Sequence, residues 1–181
     1  VMAALALQAH EGGTIVVPVD QSIAFEVLAA RYKGKIIRCK VDVASVMQAA
    51  TRRGVLMALD GMGNFIFPAF QTAPDGLMAV AKLLQYLACY GKPLSKVVAE
   101  LPPIHISHGR VNCPWEEKGK VMRLLNQQYK DRLGPQIDGV HVKLGDEEWV
   151  LILPDADRPL FHVFAQGSSA EHAKELVQRY Q

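Results

Sequence analysis

Hydrophobic and polar positions follow two different spacings along the first hundred residues. The opening residues 1–10 have helical spacing, and Gly12 and Gly13 then lead into "TIVVPV", a short β-branched run that predicts a strand. A helix is predicted over "SIAFEVLAARY", with Ser22 as a possible cap. The next two segments predict a second strand and a second such helix, "GKIIRCKV" and "ASVMQAATRR".

After Gly54 the same alternation continues. The segments "VLMALD" and "NFIFPAF" predict two strands joined by the glycine-containing turn "DGMGN". The long apolar segment "DGLMAVAKLLQYLACY" predicts a helix that ends at Gly91. Strands that alternate with helices of this length predict a three-layer α/β/α domain with a mixed sheet over residues 1–100.

A change in pattern marks a predicted domain boundary near residue 100, where Pro93, Pro102 and Pro103 bracket a short helix. Beyond it, "IHISHGRV" predicts a strand and "PWEEKGKVMRLLNQQYKDRL" an amphipathic helix. Three more strands and a final helix that starts at Ser168 or Ser169 follow; the strands are "GVHVKL", "EWVLIL" and "PLFHVFAQ". Residues 101–181 therefore predict a small α+β domain with a four-stranded antiparallel sheet.

Composition and charge argue against some classes of binding partner, nucleic acids and membranes among them. The chain has 20 basic and 18 acidic side chains and a formal net charge of +2, so it offers no broad positive field for a nucleic acid. Three scattered cysteines without CxxC spacing predict neither a zinc site nor a disulfide framework, and favour a reducing, cytoplasmic setting. No run of 18 apolar residues predicts a membrane span. Because "VMAALALQAH" has no basic flank and no initiating Met, we expect a C-terminal piece of a longer protein.

Four stretches, in this order, resemble the third and fourth domains of the α-D-phosphohexomutases, the phosphomannomutase and phosphoglucomutase enzymes. They are "GGTIVVPV" with "KIIRCKV", "NFIFPAFQTAPDGLMAVAKLLQYLA", "NCPWEEKGKVMRLL", and "DGVHVKLGDEEWVLILPDADRPLFHVFAQGSSAEHAKEL". The resemblance covers essentially the whole chain. The phrase "CPWEEKGKVMRLL" also resembles, more narrowly, the mutase-like C-terminal part of nucleotidyltransferase fusions, the mannose-1-phosphate guanylyltransferases.

The resemblance places the chemistry upstream of Val1. In such mutases a phosphorylated serine in the first domain and a magnesium-binding aspartate loop in the second perform the phosphoryl transfer. It implies no catalytic residue, metal ligand or cofactor in this chain, and magnesium only in the upstream domains of an active parent. The implied partners are those upstream domains and a sugar phosphate or sugar nucleotide; a nucleic acid or a membrane is not expected.

The family binds its sugar with a Gly-Glu-x-Ser-Gly-His turn in the third domain. The positions that match it, after Leu59, are Asp60, Gly61, Met62, Gly63 and Asn64. Asp60 keeps a carboxylate, Met62 replaces a hydroxyl by a thioether, and Asn64 can form hydrogen bonds but cannot titrate as His would. The resemblance thus predicts a degenerate sugar loop, although a plain hairpin turn that uses glycine at positive φ explains the same letters.

A second family segment carries a basic residue near the reacting phosphate. Here "RCKVDVAS" places Cys39, Asp42, Val43 and Ala44 at those positions, so no charge is available from them. Arg38 and Lys40 remain, and we expect both to be solvated surface charges.

The fourth domain's phosphate loop has the family pattern Arg-Pro-Ser-Gly/Asn-Thr-Glu-Pro. The matching positions before Pro159 are Leu153, Pro154, Asp155, Ala156, Asp157 and Arg158. The prolines are kept, but the cation becomes leucine and both hydroxyl positions become carboxylates. Since two like unit charges about 4 Å apart repel by about 1 kcal/mol in water and by more at a sheltered site, we expect a degenerate loop that has lost phosphate binding.

Other chemistry has little support in the sequence. Asp155 and Asp157 lack a third acid for a hard cation. His105 and His108 stand three apart on a predicted strand and so point to opposite faces. There is also no GxSxG elbow, no P-loop and no GxGxxG.

Three functional hypotheses follow. The first is a two-domain C-terminal fragment of a phosphohexomutase-like protein, with degenerate loops, no activity alone and a structural or regulatory role. The second is part of an active phosphomannomutase or phosphoglucomutase, and the third an assembly module of a sugar-1-phosphate nucleotidyltransferase.

Overall fold

The computed structural model describes residues 1–181 and divides the chain into two compact units, Val1–Pro103 and Ile104–Gln181. The division falls in the proline-containing segment that the sequence singles out. Each unit has its own sheet and its own buried cluster of side chains. No helix in the chain is both long enough and apolar enough to cross a membrane.

The first unit alternates helices and strands, as the hydrophobic spacing predicts. Asp42 and Asp75 each accept a hydrogen bond from a backbone N–H in the first turn of the helix that follows. Gly91 ends the longest helix in the left-handed conformation. The elements are α1 (Met2–Ala9), β1 (Gly13–Pro18), α2 (Ala24–Arg31), β2 (Gly34–Cys39), α3 (Val43–Ala50), β3 (Val55–Leu59), β4 (Phe65–Ile66), α4 (Gly76–Tyr90) and α5 (Leu94–Ala99).

The sheet of this unit has the strand order β2-β1-β3-β4. Strand β1 pairs in parallel with both β2 and β3, and β4 is antiparallel to β3. Strand β2 lies on one side of β1 and β3 lies on the other, so the direction in which strands are added to the sheet reverses after β2. The reversal lies between β1 and β3, and their carboxyl ends border the crevice where open α/β sheets bind ligands.

Both faces of this sheet are covered. Ile15, Val17 and Met57 pack on one face with the side chains of α1, α2 and α4. Val16 and Ala58 pack on the other face with α3. Successive strand residues therefore point into opposite layers, and the predicted α/β/α layering is confirmed.

Strand β4 is much shorter than the segment "NFIFPAF" predicts. Only Phe65 and Ile66 pair with β3, and Phe67 forms an isolated bridge with Gln71. The N–H groups of Phe70 and Gln71 both donate to the carbonyl oxygen of Phe67, at 2.8 and 3.0 Å. Pro68 has no N–H group with which to extend the hydrogen bonding between strands, so the backbone turns back immediately after the two paired residues.

The second unit contains one four-stranded antiparallel sheet, as predicted, and its strand order is β5-β8-β7-β6. Helices α6 and α7 contribute side chains to the core on it, among them Leu125, Leu176 and Val177. Ser169 accepts a hydrogen bond from the N–H of His172 and caps α7, which agrees with the second of the two predicted starts. The elements are β5 (Ile106–Asn112), α6 (Trp115–Gln128), a 3-10 turn (Lys130–Arg132), β6 (Val140–Lys143), β7 (Trp149–Pro154), β8 (Leu160–Gln166) and α7 (Ala170–Tyr180).

Candidate functional site

The loop after β3 is organised by the side chain of Asp60, which is 7% exposed. Its Oδ1 accepts hydrogen bonds from the N–H groups of Met62 at 2.8 Å and Asn64 at 3.1 Å. Its Oδ2 accepts from Asn64 Nδ2 at 2.6 Å. The carboxylate that the resemblance offers as a sugar ligand is therefore engaged with its own loop. Met62, at 89% exposed, faces solvent.

Glycine is favoured at the second position of this loop by its backbone conformation and by its close approach to the Gln21 side chain. Gly61 has a φ of 78°, which a residue with a side chain rarely adopts. A Cβ placed there would also lie 2.1 Å from Nε2 of Gln21. The loop after β3 thus packs directly against the loop after β1.

The loop after β1 is a candidate part of the site that sequence reasoning missed. Asp20 is 8% exposed and Ser22 is 2% exposed, and Gln21 Nε2 donates to Asp20 Oδ1 at 3.2 Å. Burial raises the pKa of Asp20, and the charge of Asp60 acts in the same direction. The sequence does show a polar run, "DQS", directly after the predicted strand "TIVVPV". That this run lies beside the Asp60 loop follows only from the strand order, in which β1 is next to β3. Together the two loops border the carboxyl ends of β1 and β3.

Arg38 is not the solvated surface charge that the sequence predicts. Its side chain is 15% exposed, and all five of its N–H groups have acceptors. Two bonds go to the carboxylate of Glu26, at 2.8 and 2.6 Å. The other three go to backbone carbonyls, each at 2.8 Å: those of Pro18, Gln21 and Ser22. The guanidinium therefore holds the β1–α2 loop in place and has no donor left for a phosphate.

The segment that the family uses near the reacting phosphate serves local structure here. Asp42 Oδ1 accepts from the N–H of Ser45 at 2.8 Å and so caps α3. Burial raises the pKa of Cys39 to about 11, so this thiol is neutral at pH 7. Lys40 is exposed, as predicted, and Ala44 offers no polar group.

The turn between β7 and β8 is also organised by a carboxylate, that of Asp155. Its Oδ1 accepts from the N–H groups of Asp157 at 2.8 Å and Arg158 at 2.9 Å. Its Oδ2 lies 2.9 Å from Nε2 of His162. The bond from the Asp157 N–H, followed by that from the His162 side chain, lowers the pKa of Asp155. Asp157 and Arg158 are exposed.

Lys118 on α6 binds the backbone of the same turn. Its Nζ donates to the carbonyl oxygens of Asp155, at 2.6 Å, and of Arg158. The ammonium also lies 3.8 Å from the centre of the Trp115 ring, within range of a cation–π interaction. Although it is a lysine, the residue is only 8% exposed. Its charge is compensated by two carbonyl dipoles and the ring rather than by a carboxylate.

A pair of histidines extends from this turn across the sheet. His108 Nε2 on β5 lies 2.9 Å from His162 Nδ1 on β8, with the ring centroids 5.1 Å apart and the ring planes inclined by 23°. Burial, followed by the neighbouring His162, lowers the pKa of His108. Sequence reasoning treated His108 only together with His105. The partner on another strand could not be found without the β5–β8 register.

Ser168, His172 and Glu148 lie close together but do not form a nucleophilic triad. Ser168 Oγ lies 3.0 Å from His172 Nδ1, and Glu148 Oε1 lies 3.1 Å from the same nitrogen. A relay needs the acid and the nucleophile on different ring nitrogens, so this arrangement cannot activate Ser168. No group of three or more His, Cys, Asp or Glu side chains in the chain could hold a metal ion.

The comparison with known families decides the assignment. Residues 1–104 match the model "Phosphoglucomutase/phosphomannomutase, alpha/beta/alpha domain III". The chain belongs to the phosphoglucomutase/phosphomannomutase family. The predicted resemblance is confirmed, and residues 105–181 correspond to the C-terminal part of these mutases.

Curated members of this family share substantial identity with the chain. A probable phosphoglucosamine mutase of Methanopyrus kandleri is 32% identical over 166 residues, which cover 91% of this chain and 36% of the relative. One from Methanothermobacter thermautotrophicus is 30% identical over 182 residues, covering 97% of this chain and 40% of the relative. The chain thus spans about two fifths of the length of these mutases.

Solved structures share the fold. A phosphoglucomutase/phosphomannomutase family protein from Burkholderia thailandensis superposes with a TM-score of 0.75 at 19% identity, over 98% of this chain and 40% of that one. An Aspergillus fumigatus N-acetylphosphoglucosamine mutase, in complex with GlcNAc-6P and magnesium, gives a TM-score of 0.64 at 14% identity, over 98% of this chain and 42% of that one. These matches are to mutases and give no support to the narrower guanylyltransferase resemblance.

Proposed function

We propose that this chain forms the last two domains of an active phosphohexomutase that moves a phosphoryl group between two positions of a hexosamine phosphate. The observation that carries the proposal is the extent of the similarity to phosphoglucosamine mutases, which runs through 91–97% of the chain and includes both candidate loops. The phosphohexomutase hypothesis with an active parent is therefore preferred over the hypothesis of a purely structural fragment.

In this proposal the first unit contributes to binding of the sugar ring. The Asp60 loop and the Asp20–Ser22 loop border the carboxyl ends of adjacent parallel strands, the usual position of a ligand in such sheets. Asp60 orders the loop by its three internal bonds, so that Asn64 and the glycine backbone are presented in one fixed arrangement. Asp60 thus acts as a positioning residue, and the loop makes contact with hydroxyl groups through its backbone.

The second unit contributes the turn at Asp155. Leu153 and the two carboxylates have replaced the family's cation and hydroxyls, so the donors of this turn are the backbone N–H groups of Asp157 and Arg158, which a phosphate reaches only in place of the Asp155 carboxylate. A backbone donor pair suits a phosphate oxygen, as in other anion-binding loops. The side chains of this loop therefore differ from the family pattern, but its backbone still has two N–H groups that could donate to a phosphate oxygen.

One observation favours a second candidate function, a structural role with no sugar-phosphate binding. The carboxylates of Asp155 and Asp157 lie where the family has hydroxyls, and like charge opposes a phosphate dianion. In that case neither loop would respond to any sugar phosphate.

A binding footprint separates these two candidates. On titration of glucosamine 6-phosphate into the ¹⁵N-labelled chain, we expect saturable amide shifts at residues 60–64 and at Asp157 and Arg158. Replacing Asp60 by Ala should weaken this binding about tenfold, because the loop loses three ordering bonds. The matched control Asp146→Ala, at an exposed aspartate, should leave it unchanged. Glucosamine without phosphate should not shift Asp157 or Arg158. Shifts in neither loop would favour the structural role.

A further inference from the structure

We propose that the Asp155 carboxylate is a built-in occupant of an anion site, and that a phosphate group binds this turn only by displacing it. In the exchange, His162 transfers its hydrogen bond from Asp155 to the phosphate. The inference rests on the proposed function, because it concerns how the turn at Asp155 receives the phosphate of a sugar substrate.

Three donors converge on the two oxygens of this one side chain. The N–H groups of Asp157 and Arg158 donate to Oδ1 at 2.8 and 2.9 Å, and Nε2 of His162 lies 2.9 Å from Oδ2. Two adjacent oxygens that share one negative charge have the same acceptor chemistry as two oxygens of a phosphate. The side chain of Asp155 is 16% exposed, so the site that it fills opens to solvent.

The turn is also held by bonds that do not involve the Asp155 side chain. Lys118 Nζ binds the carbonyl oxygens of Asp155 and Arg158. The N–H of Asp155 donates to Leu160 at 3.1 Å, and the N–H of Leu160 donates to Arg158 at 2.8 Å. When the carboxylate swings away, these bonds keep the turn in shape. Its two N–H groups then need another acceptor, and a phosphate oxygen supplies one.

His108 forms a hydrogen bond with His162 on the side of the ring that faces away from Asp155. The two ring nitrogens that face each other, His108 Nε2 and His162 Nδ1, share one proton across 2.9 Å. When His108 donates it, a neutral His162 carries its own proton on Nε2, the nitrogen that faces Asp155. While Asp155 is bound, its carboxylate can only accept and so keeps the proton of His162 on Nε2. His108 is a positioning residue for the exchange, because it keeps His162 in the same tautomer when the carboxylate is displaced and a phosphate takes its place.

Titration of inorganic phosphate into the chain, followed through the amides of Asp157 and Arg158 by NMR, tests the exchange directly. We expect Asp155→Ala to bind phosphate at least tenfold more tightly than the unmodified chain. The matched control Asp157→Ala removes the same charge but none of the three bonds, and should gain no more than threefold. Equal gains in both variants would show that charge alone governs binding. That result, or no gain in Asp155→Ala, would overturn the proposal.

A second variant covers the case in which Asp155→Ala does not fold. Asp155→Asn can still accept from both N–H groups but cannot accept from Nε2 of His162 through its Nδ2. It should gain at least threefold over Asp157→Asn, and an equal response of the two would contradict the exchange. In Asp155→Ala the ring ¹⁵N shifts of His162 should still report a proton on Nε2, and adding His108→Phe should let that proton distribute between Nε2 and Nδ1; an unchanged tautomer in the double variant would remove His108 from the account. The inference fails on the comparison of the Asp155 and Asp157 variants, whereas the proposed function fails if the unmodified chain does not respond to glucosamine 6-phosphate, so the two failures are distinct.

Discussion

Replacing Lys118 by Met is expected to lower the free energy of unfolding of the second unit by about 2–4 kcal/mol. Methionine has a similar length and can still pack on Trp115, but it cannot donate to the carbonyl oxygens of Asp155 and Arg158. Hydrogen bonds from a charged donor contribute about 1.5–3 kcal/mol each, and part of the loss is offset because a buried charge is also removed. Urea unfolding followed by tryptophan fluorescence measures the change.

The matched control for this change lies two residues further along the same helix. Lys120 is 66% exposed and makes a single contact with Glu117, at 3.5 Å. Lys120→Met should therefore change stability by less than about 0.5 kcal/mol. Similar effects of the two replacements would mean that Lys118 does not support the turn. That outcome would also undermine the inference that the turn keeps its shape without Asp155.

Replacing Arg38 by Lys is expected to lower the free energy of unfolding of the first unit by about 2–3 kcal/mol. A lysine keeps the charge but has three donors instead of five and lacks the planar fork that reaches Glu26 and three carbonyl oxygens together. Two or more carbonyl groups of the β1–α2 loop then lose their partner. Thermal and urea unfolding of the chain measure this loss.

An arginine at the surface provides the control. Arg53 is exposed, and Arg53→Lys should leave stability within about 0.5 kcal/mol of the original. Because the Arg38 fork fixes the backbone at Gln21, which packs on Gly61, Arg38→Lys should also broaden the amide resonances of residues 60–64. A stable Arg38→Lys variant with sharp resonances there would contradict the role assigned to Arg38.

Much of the fold could be predicted because it depends on local spacing. The segment "TIVVPV" is apolar after Thr14, as expected for a parallel strand buried on both faces, and β1 includes its first five residues. The helix start at Ser169 and the helix end at Gly91 follow from capping chemistry that the letters show directly. Strand β4 could not be predicted in its true length, because the turn that ends it depends on hydrogen bonds back to Phe67.

The roles of individual polar groups were harder to predict, since they depend on partners far away in sequence. Arg38 looked like a surface charge because its acceptors lie between Pro18 and Glu26, in another segment of the chain. His108 and His162 are 54 positions apart and meet only through the register of β5 and β8. The resemblance located both acidic loops, but only the folded structure shows that Asp60 and Asp155 each accept hydrogen bonds from the backbone of their own loop.

The two loops share one design, in which a carboxylate at the end of a strand accepts two backbone N–H groups of the turn that follows. In the Asp60 loop the remaining oxygen binds Asn64, a neutral amide within the same loop. In the Asp155 turn it faces Nε2 of His162, which lies on another strand. We therefore expect the Asp60 loop to remain closed when sugar binds and the Asp155 turn to exchange its carboxylate for a phosphate.

The central claim is that this chain completes an active phosphohexomutase, and turnover by the full-length protein that contains it tests this most directly. ³¹P NMR distinguishes glucosamine 6-phosphate from glucosamine 1-phosphate, so conversion can be followed without a coupling enzyme. The account predicts that the two esters interconvert and that Asp60→Ala slows this at least tenfold, whereas Asp146→Ala does not. A folded full-length protein that converts no hexosamine or hexose phosphate would contradict it.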